Sequence, residues 1–190
     1  MLFCHCCKTK FISALNNRLS VQQKEYIAAT PFWWFTMLND SVKISRNLLS
    51  HLCYKLVERR GGFDVGGQVI EFNLLDVCLG LCLRVLGERI DLNETVVDSD
   101  NWNIFWGETV NVKLIYDYLL KFDDDVGGVE VFCKIYILLG ISEFLLPNKK
   151  GSVFPIIFKI FDDMDNIGKY NWGTLVYEYL VSTCALLHWL

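Results

Sequence analysis

Histidine and proline are both scarce here, with three of each in 190 residues. Against 53 % apolar and 14 % aromatic residues, so little proline excludes a disordered chain. Only His5, His51 and His188 offer imidazole bases, and His51 stands two residues from Cys53, a spacing that points to different faces of a helix. Basic residues are in deficit, 18 against 22 acidic, for a formal charge of −4 with mixed signs along the chain. That excludes the overall electrostatic footprint of a duplex-binding protein and leaves only a local patch at Lys149, Lys150 and Lys159. The longest apolar run, Val131–Leu146, is about 16 residues and contains Lys134 and Glu143, short of the roughly 20 a membrane helix needs. It reads as a buried core helix. Motifs of the GxGxxG, Walker, GxSxG and HExxH types are absent, and with them the commonest sequence-readable nucleotide and hydrolase sites.

Cysteine is plentiful, at eight residues, but no basic-then-apolar leader accompanies it. Cys53, Cys78, Cys82, Cys133 and Cys184 lie within apolar runs and read as reduced, small hydrophobes of an intracellular protein. Cys4, His5, Cys6 and Cys7 carry zinc-ligand chemistry, yet a closed tetrahedral site uses separated pairs and no second pair follows. No metal or cofactor is expected.

The apolar periodicity predicts helices over Ile12 to about Leu19, Ile44–Val57, the stretch after Asn73, Val110–Leu120, Val131–Leu146 and the segment from Trp172. The run "FDVGGQVIEF" changes period and predicts a β-hairpin turning at Gly66 and Gly67. Asn73 is placed to cap the next helix with Asp76 returning the bond, and Phe72 to staple against Val77. Pro155 limits any helix in the next run to a start near that position, and Asn171 is placed to cap the last one, whose stripe is Trp172, Leu175, Val176, Tyr179, Leu180 and Thr183 or Leu187.

Four stretches hold candidate functional residues. "PFWWF" places Phe32, Trp33, Trp34 and Phe35 in a row, so they either anchor one element in the core or present part of the run to a partner. Asp123–Asp125 resemble a divalent-cation ligand set but lack the ligand alternation of a calcium loop, and read as a solvated turn. Asn148, Lys149 and Lys150 form a polar turn. Asp162, Asp163 and Asp165, beside Lys159, Lys169 and Tyr170, form a carboxylate group that either poises an acid and a base or caps and faces water. The capping reading is preferred, and no catalytic residue is assigned.

Two stretches carry a family resemblance: "RNLLSHLCYKLVERRGGFDVGGQVIEFNLLDVCLGLCLRVLGERIDL" and "YILLGISEFLLPNKKGSVFPIIFKIFDDMDNIGKYNWGTLVYEYLV". The helix, the Phe63/Phe72 strand region, the Asp76-led helix to Leu79–Leu81, the Leu146–Lys149 turn, the acidic segment and Tyr170–Gly173 resemble the aminotransferase-like plant mobile domain, or the transposon-associated DUF1985 domain. Cys82 and "LRVLGERI" stand where that family often has proline. The resemblance implies a noncatalytic, nuclear protein-interaction or chromatin-associated module, linked in some relatives to gene silencing; the chain itself displays no arrangement for a Schiff-base lysine, so no pyridoxal phosphate is expected.

Together these readings predict a mainly α protein, a single helical domain with a small β-hairpin. Residues 1–29 form an N-terminal segment with a short helix, and residues 30–190 a plant-mobile-domain-like helical domain that reads as shortened at its C-terminus. The function expected is a scaffold binding protein partners, with no membrane span. Its contact surface is placed at Trp33, Trp34, Asn148, Lys149, Lys150, Asp162, Asp163, Asp165, Lys169 and Tyr170. The rivals are a nucleic-acid module binding phosphate through Lys149, Lys150, Lys159 and Lys169, and a diverged enzyme using the acidic loop.

Overall fold

The computed structural model describes residues 9–43, 45–57, 61–94, 99–105, 108–148 and 150–188. Its helices are α1 (Lys10–Asn16), α2 (Val21–Ala28), α3 (Arg46–Tyr54), α4 (Leu74–Leu81), α5 (Asp100–Asn103), α6 (Val112–Lys121), α7 (Asp124–Gly140), α8 (Pro155–Asp162) and α9 (Trp172–His188). Three short strands, β1 (Leu56–Val57), β2 (Gly62–Val65) and β3 (Gln68–Glu71), form one antiparallel sheet in that order. The fold is mainly α, as the periodicity predicts. The chain gathers into two compact units, one from the described parts of Lys43–Ile90 and Lys169–Leu190, the other from those of Cys6–Val42 and Asp91–Gly168.

In the first of these units, α3 and α4 pack on α9. The hairpin turns where expected: Gly66 and Gly67 take φ of +62° and +84°, a pair of left-handed positions that glycine adopts without a Cβ penalty. Register pairs Phe63 with Ile70 and Val65 with Gln68. The helix predicted to run through Val57 stops at Tyr54 instead. Leu56 and Val57 pair with Phe63 and Gly62, so two residues that fit a helical stripe are taken by the edge of the sheet.

Helix α4 starts as its sequence dictates. The Leu75 amide donates to Asn73 Oδ1 and the Asn73 amide to Asp76 Oδ2, both at 2.8 Å, which satisfies first-turn donors reciprocally. Phe72 packs between the rings of Phe63 and Tyr177. At the other end of the unit, the Thr174 amide donates to Asn171 Oδ1 at 2.9 Å and opens α9. Trp172, Leu175 and Val176 are buried, while Leu180 lies at the stripe's exposed margin.

The second unit is built around α7 and the π-helical turn Ile141–Leu145 that continues it. Gly128 takes φ +77° and ψ 153°, which breaks α7, and the helix resumes at Val129. Ile135 and Ile137–Leu139 are then buried on every side, as a core helix requires. Helices α1, α2, α6 and α8 pack against this axis, and α5 packs on α8. Pro155 stands at the first turn of α8, where its missing N–H costs nothing. Ser20 and Gln23 form a full capping box on α2.

Candidate functional site

The aromatic run resolves into two roles because it forms a 3₁₀ helix, Trp33–Met37, in which residues three apart share a side. Phe32 and Phe35 point into the core and are fully buried, their ring centroids 5.4 Å apart. Trp33 faces outward at 39 % exposure. Trp34 is half-buried, edge-on to Phe35 and Phe144, and its buried indole N–H finds no partner among the described residues. Core anchor and outward ring both hold, for different residues.

The polar turn is a corner. Asn148 Oδ1 accepts from the amides of Lys150 and Ser152, and its Nδ2 donates to Ser152 O at 2.6 Å, so one side chain closes the loop. Lys150 is exposed; Lys149 lies outside the described residues. The carboxylates that follow are spread over separate tasks. Asp162 accepts from both the backbone amide and the side-chain amide of Asn101, at 3.1 and 2.7 Å, tying the start of α5 to the end of α8. Exposed Asp163 accepts from Asn166, and Asp165 faces solvent. No pair converges as an acid and base would. Lys159 sits 3.7 Å from Glu94, which turns one of the proposed phosphate-contacting lysines toward a carboxylate.

Lys169 and Tyr170 belong to the other unit, where the segment "KYNWG" clamps residues 84–88. Lys169 O accepts from Glu88, Asn171 N donates to Glu88 O, Asn171 Nδ2 donates to Val85 O, and Gly173 N donates to Arg84 O. There is no room for larger residues in this clamp: a Cβ on Gly173 would sit 2.3 Å from Cys78 Sγ, and one on Gly87 2.3 Å from Lys169 O. Trp172 fills the adjoining core at 1 % exposure. Lys169 Nζ lies 5.3 Å above the Tyr170 ring, a cation–π contact at the surface.

The most consequential polar residue is one sequence reasoning passed over. Glu143, in the π-helical turn, is 4 % exposed, and its two carboxylate oxygens accept from the Phe11 and Ile12 amides at 3.0 Å each. It thereby caps α1 from 131 residues away. Beside it in the core, Tyr136 donates to Asn16 Oδ1 while Asn16 Nδ2 donates to Phe35 O and Leu38 O. Burial pushes the Tyr136 phenol well above its ordinary range. The sequence signal for Glu143 is a carboxylate near the end of the longest apolar run, whose other charge is Lys134.

Among the described residues no group of three metal-ligating side chains converges, and Cys4–Cys7 lie outside them. No helix there is long and apolar enough to cross a membrane. A cleft of about 480 Å³ opens beside α6, walled by Phe105, Tyr118 and Phe122 and rimmed by Glu108, Asp117 and Lys121. Asp117 is already paired with Lys113, so the rim carries mixed charge with no convergent set of reacting groups.

A different feature stands out in the sheet-bearing unit. Helix α4, LLDVCLGL, is apolar nearly all round, yet only Val77 and Cys78 are buried. Leu75 and Leu79, four apart and therefore on one face, are 56 % and 79 % exposed. Leu48, Tyr54, Val65 and Ile70 of the same unit are exposed as well.

No curated protein and no solved structure matches this chain. The expected kinship with the plant mobile domain, or with DUF1985, is incorrect: neither family is found, and another covers nearly the whole chain. Among the features behind that expectation, the Asp76-led helix start is a capping box, Phe63 and Phe72 are a ring contact and Tyr170–Gly173 is a close-packed clamp, each a local solution to helix starts and packing rather than a family signature. The nuclear and chromatin expectations rested on that kinship and lose their ground with it. The family model that matches, over residues 5–188, is described as a domain of unknown function, and the chain belongs to that family, DUF8566.

Proposed function

We propose that the chain is a noncatalytic protein-interaction module whose contact surface is the outer face of α4. The observation that carries this reading is the exposure of Leu75 and Leu79 on a helix whose sequence is apolar on nearly every side. A helix of that composition is ordinarily buried all round. Burying two such leucines against a partner is worth roughly 1.5–3 kcal/mol each, enough for them to act as anchors in a small interface. Trp33, outward-facing in the other unit, is a further aromatic available for contact.

Affinity capture with the wild type and with a Leu75→Lys/Leu79→Lys variant tests the reading. Proteins retained by the wild type are lost from the variant, while Val21→Lys, at an equally exposed position of α2, retains them. The same set of proteins recovered by all three folded chains would overturn it.

A further inference from the structure

The structure places two thiols together that the chain separates by 131 residues. Cys53, in the last turn of α3, and Cys184, near the end of α9, have their sulfurs 3.8 Å apart, in hydrogen-bonding contact, and both are reduced. They belong to the same compact unit, and α3 packs directly on α9. Cys53 is buried, whereas Cys184 is partly open to solvent. The other described cysteines are placed differently: Cys78 lies against Gly173, Cys133 donates to Gln23 O in the second unit, and Cys82 is exposed at the end of α4.

We propose that Cys53 and Cys184 are a dithiol modification site, converted to an intramolecular disulfide by a low-molecular-weight disulfide such as oxidised glutathione. The accessible Cys184 thiolate attacks one sulfur of the oxidant, whose S–S bond breaks and releases one glutathione thiolate. Cys53, as thiolate, then attacks the Cys184 sulfur of the mixed disulfide and expels the second glutathione. Two protein thiols are oxidised, one glutathione disulfide is reduced to two thiols, and the two cysteine protons pass to the departing glutathione thiolates through solvent. Bond formation brings the sulfurs from 3.8 Å to a disulfide length of about 2.05 Å, a closure of roughly 2 Å. Burial and the neighbouring Cys53 push the Cys184 thiol up to about 12, which keeps its thiolate scarce near neutrality and makes the reaction slow rather than absent.

The product staples α3 to α9 within the sheet-bearing unit, an effect independent of whether α4 binds a partner. The test uses the full chain with Cys4, Cys6, Cys7 and Cys82 changed to serine, incubated with oxidised glutathione at about pH 8.5 and followed by intact mass and non-reducing peptide mapping. The expected result is a loss of about 2 Da, a single Cys53–Cys184 cross-linked peptide, reversal by dithiothreitol, and a rise in Tm of roughly 5–10 °C. With Cys184→Ser added, no intramolecular linkage forms. A persistent glutathione adduct, a linkage involving Cys78 or Cys133, or full retention of free thiols after prolonged incubation would each overturn the proposal.

Discussion

At the residue scale, the polar groups with the largest energetic stake are buried and satisfied, and they are not the ones the sequence advertises. Glu143→Ala leaves the Phe11 and Ile12 amides without their carboxylate, and two orphaned donors cost about 2–4 kcal/mol. Urea denaturation of this variant beside Asp163→Asn separates the two kinds of carboxylate, because Asp163 is exposed and its loss stays within about 0.5 kcal/mol. A second residue-scale prediction concerns pH. Burial, and then the charges of Glu130, Cys133 and Asp165, push the Tyr26 phenol from an ordinary 10 up to about 12. The native state therefore holds that proton more tightly than the unfolded chain. The stability it confers is complete below pH 10 and is lost as pH rises toward 12. Tyr26→Phe flattens the alkaline decline of Tm in that window; an unchanged slope would show that other groups dominate it.

At the scale of elements, what the sequence makes legible is what neighbours in sequence decide. The Asn73/Asp76 capping box, the Gly66–Gly67 turn, the start of α8 at Pro155 and the Asn171 cap all act within three or four residues, and all are found as read. Contacts set by distant partners were not legible. Leu56 and Val57 leave their helical pattern because β2 claims them, Glu143 serves a helix start 131 residues away, and α4 hides one apolar stripe while exposing another. The candidate interaction surface divides in the same way. Of its polar members, Asn148 and Asp162 hold corners while Lys150, Asp163, Asp165 and Lys169 are exposed, and its Trp33/Trp34 pair is split by a 3₁₀ geometry with a period of three. Two substitutions test the element assignments. Asn73→Ala removes a cap and lowers stability by about 1 kcal/mol. Trp172→Ala empties the core beneath α9 and costs about 3–5 kcal/mol. A Trp172→Ala chain with wild-type Tm would contradict the clamp between residues 84–88 and α9.

At the scale of the whole molecule, a mainly α chain of DUF8566 combines a second unit centred on the buried apolar half of α7 with a first unit that leaves apolar side chains in solvent. The polar loops around Asn148 and Asp162 hold elements in place, whereas Leu75 and Leu79 on α4 turn most of their surface to solvent. Binding of one captured partner to two sets of variants tests that division of labour. One set alters the α4 face, Leu75→Lys and Leu79→Lys; the other alters exposed loop residues, Lys150→Ala, Asp163→Asn and Lys169→Ala. With Tm matched across all five, affinity is expected to fall at least tenfold for the α4 set and to stay within about twofold for the loop set. The reverse pattern, binding lost through the loop residues and untouched by lysines on α4, would contradict it.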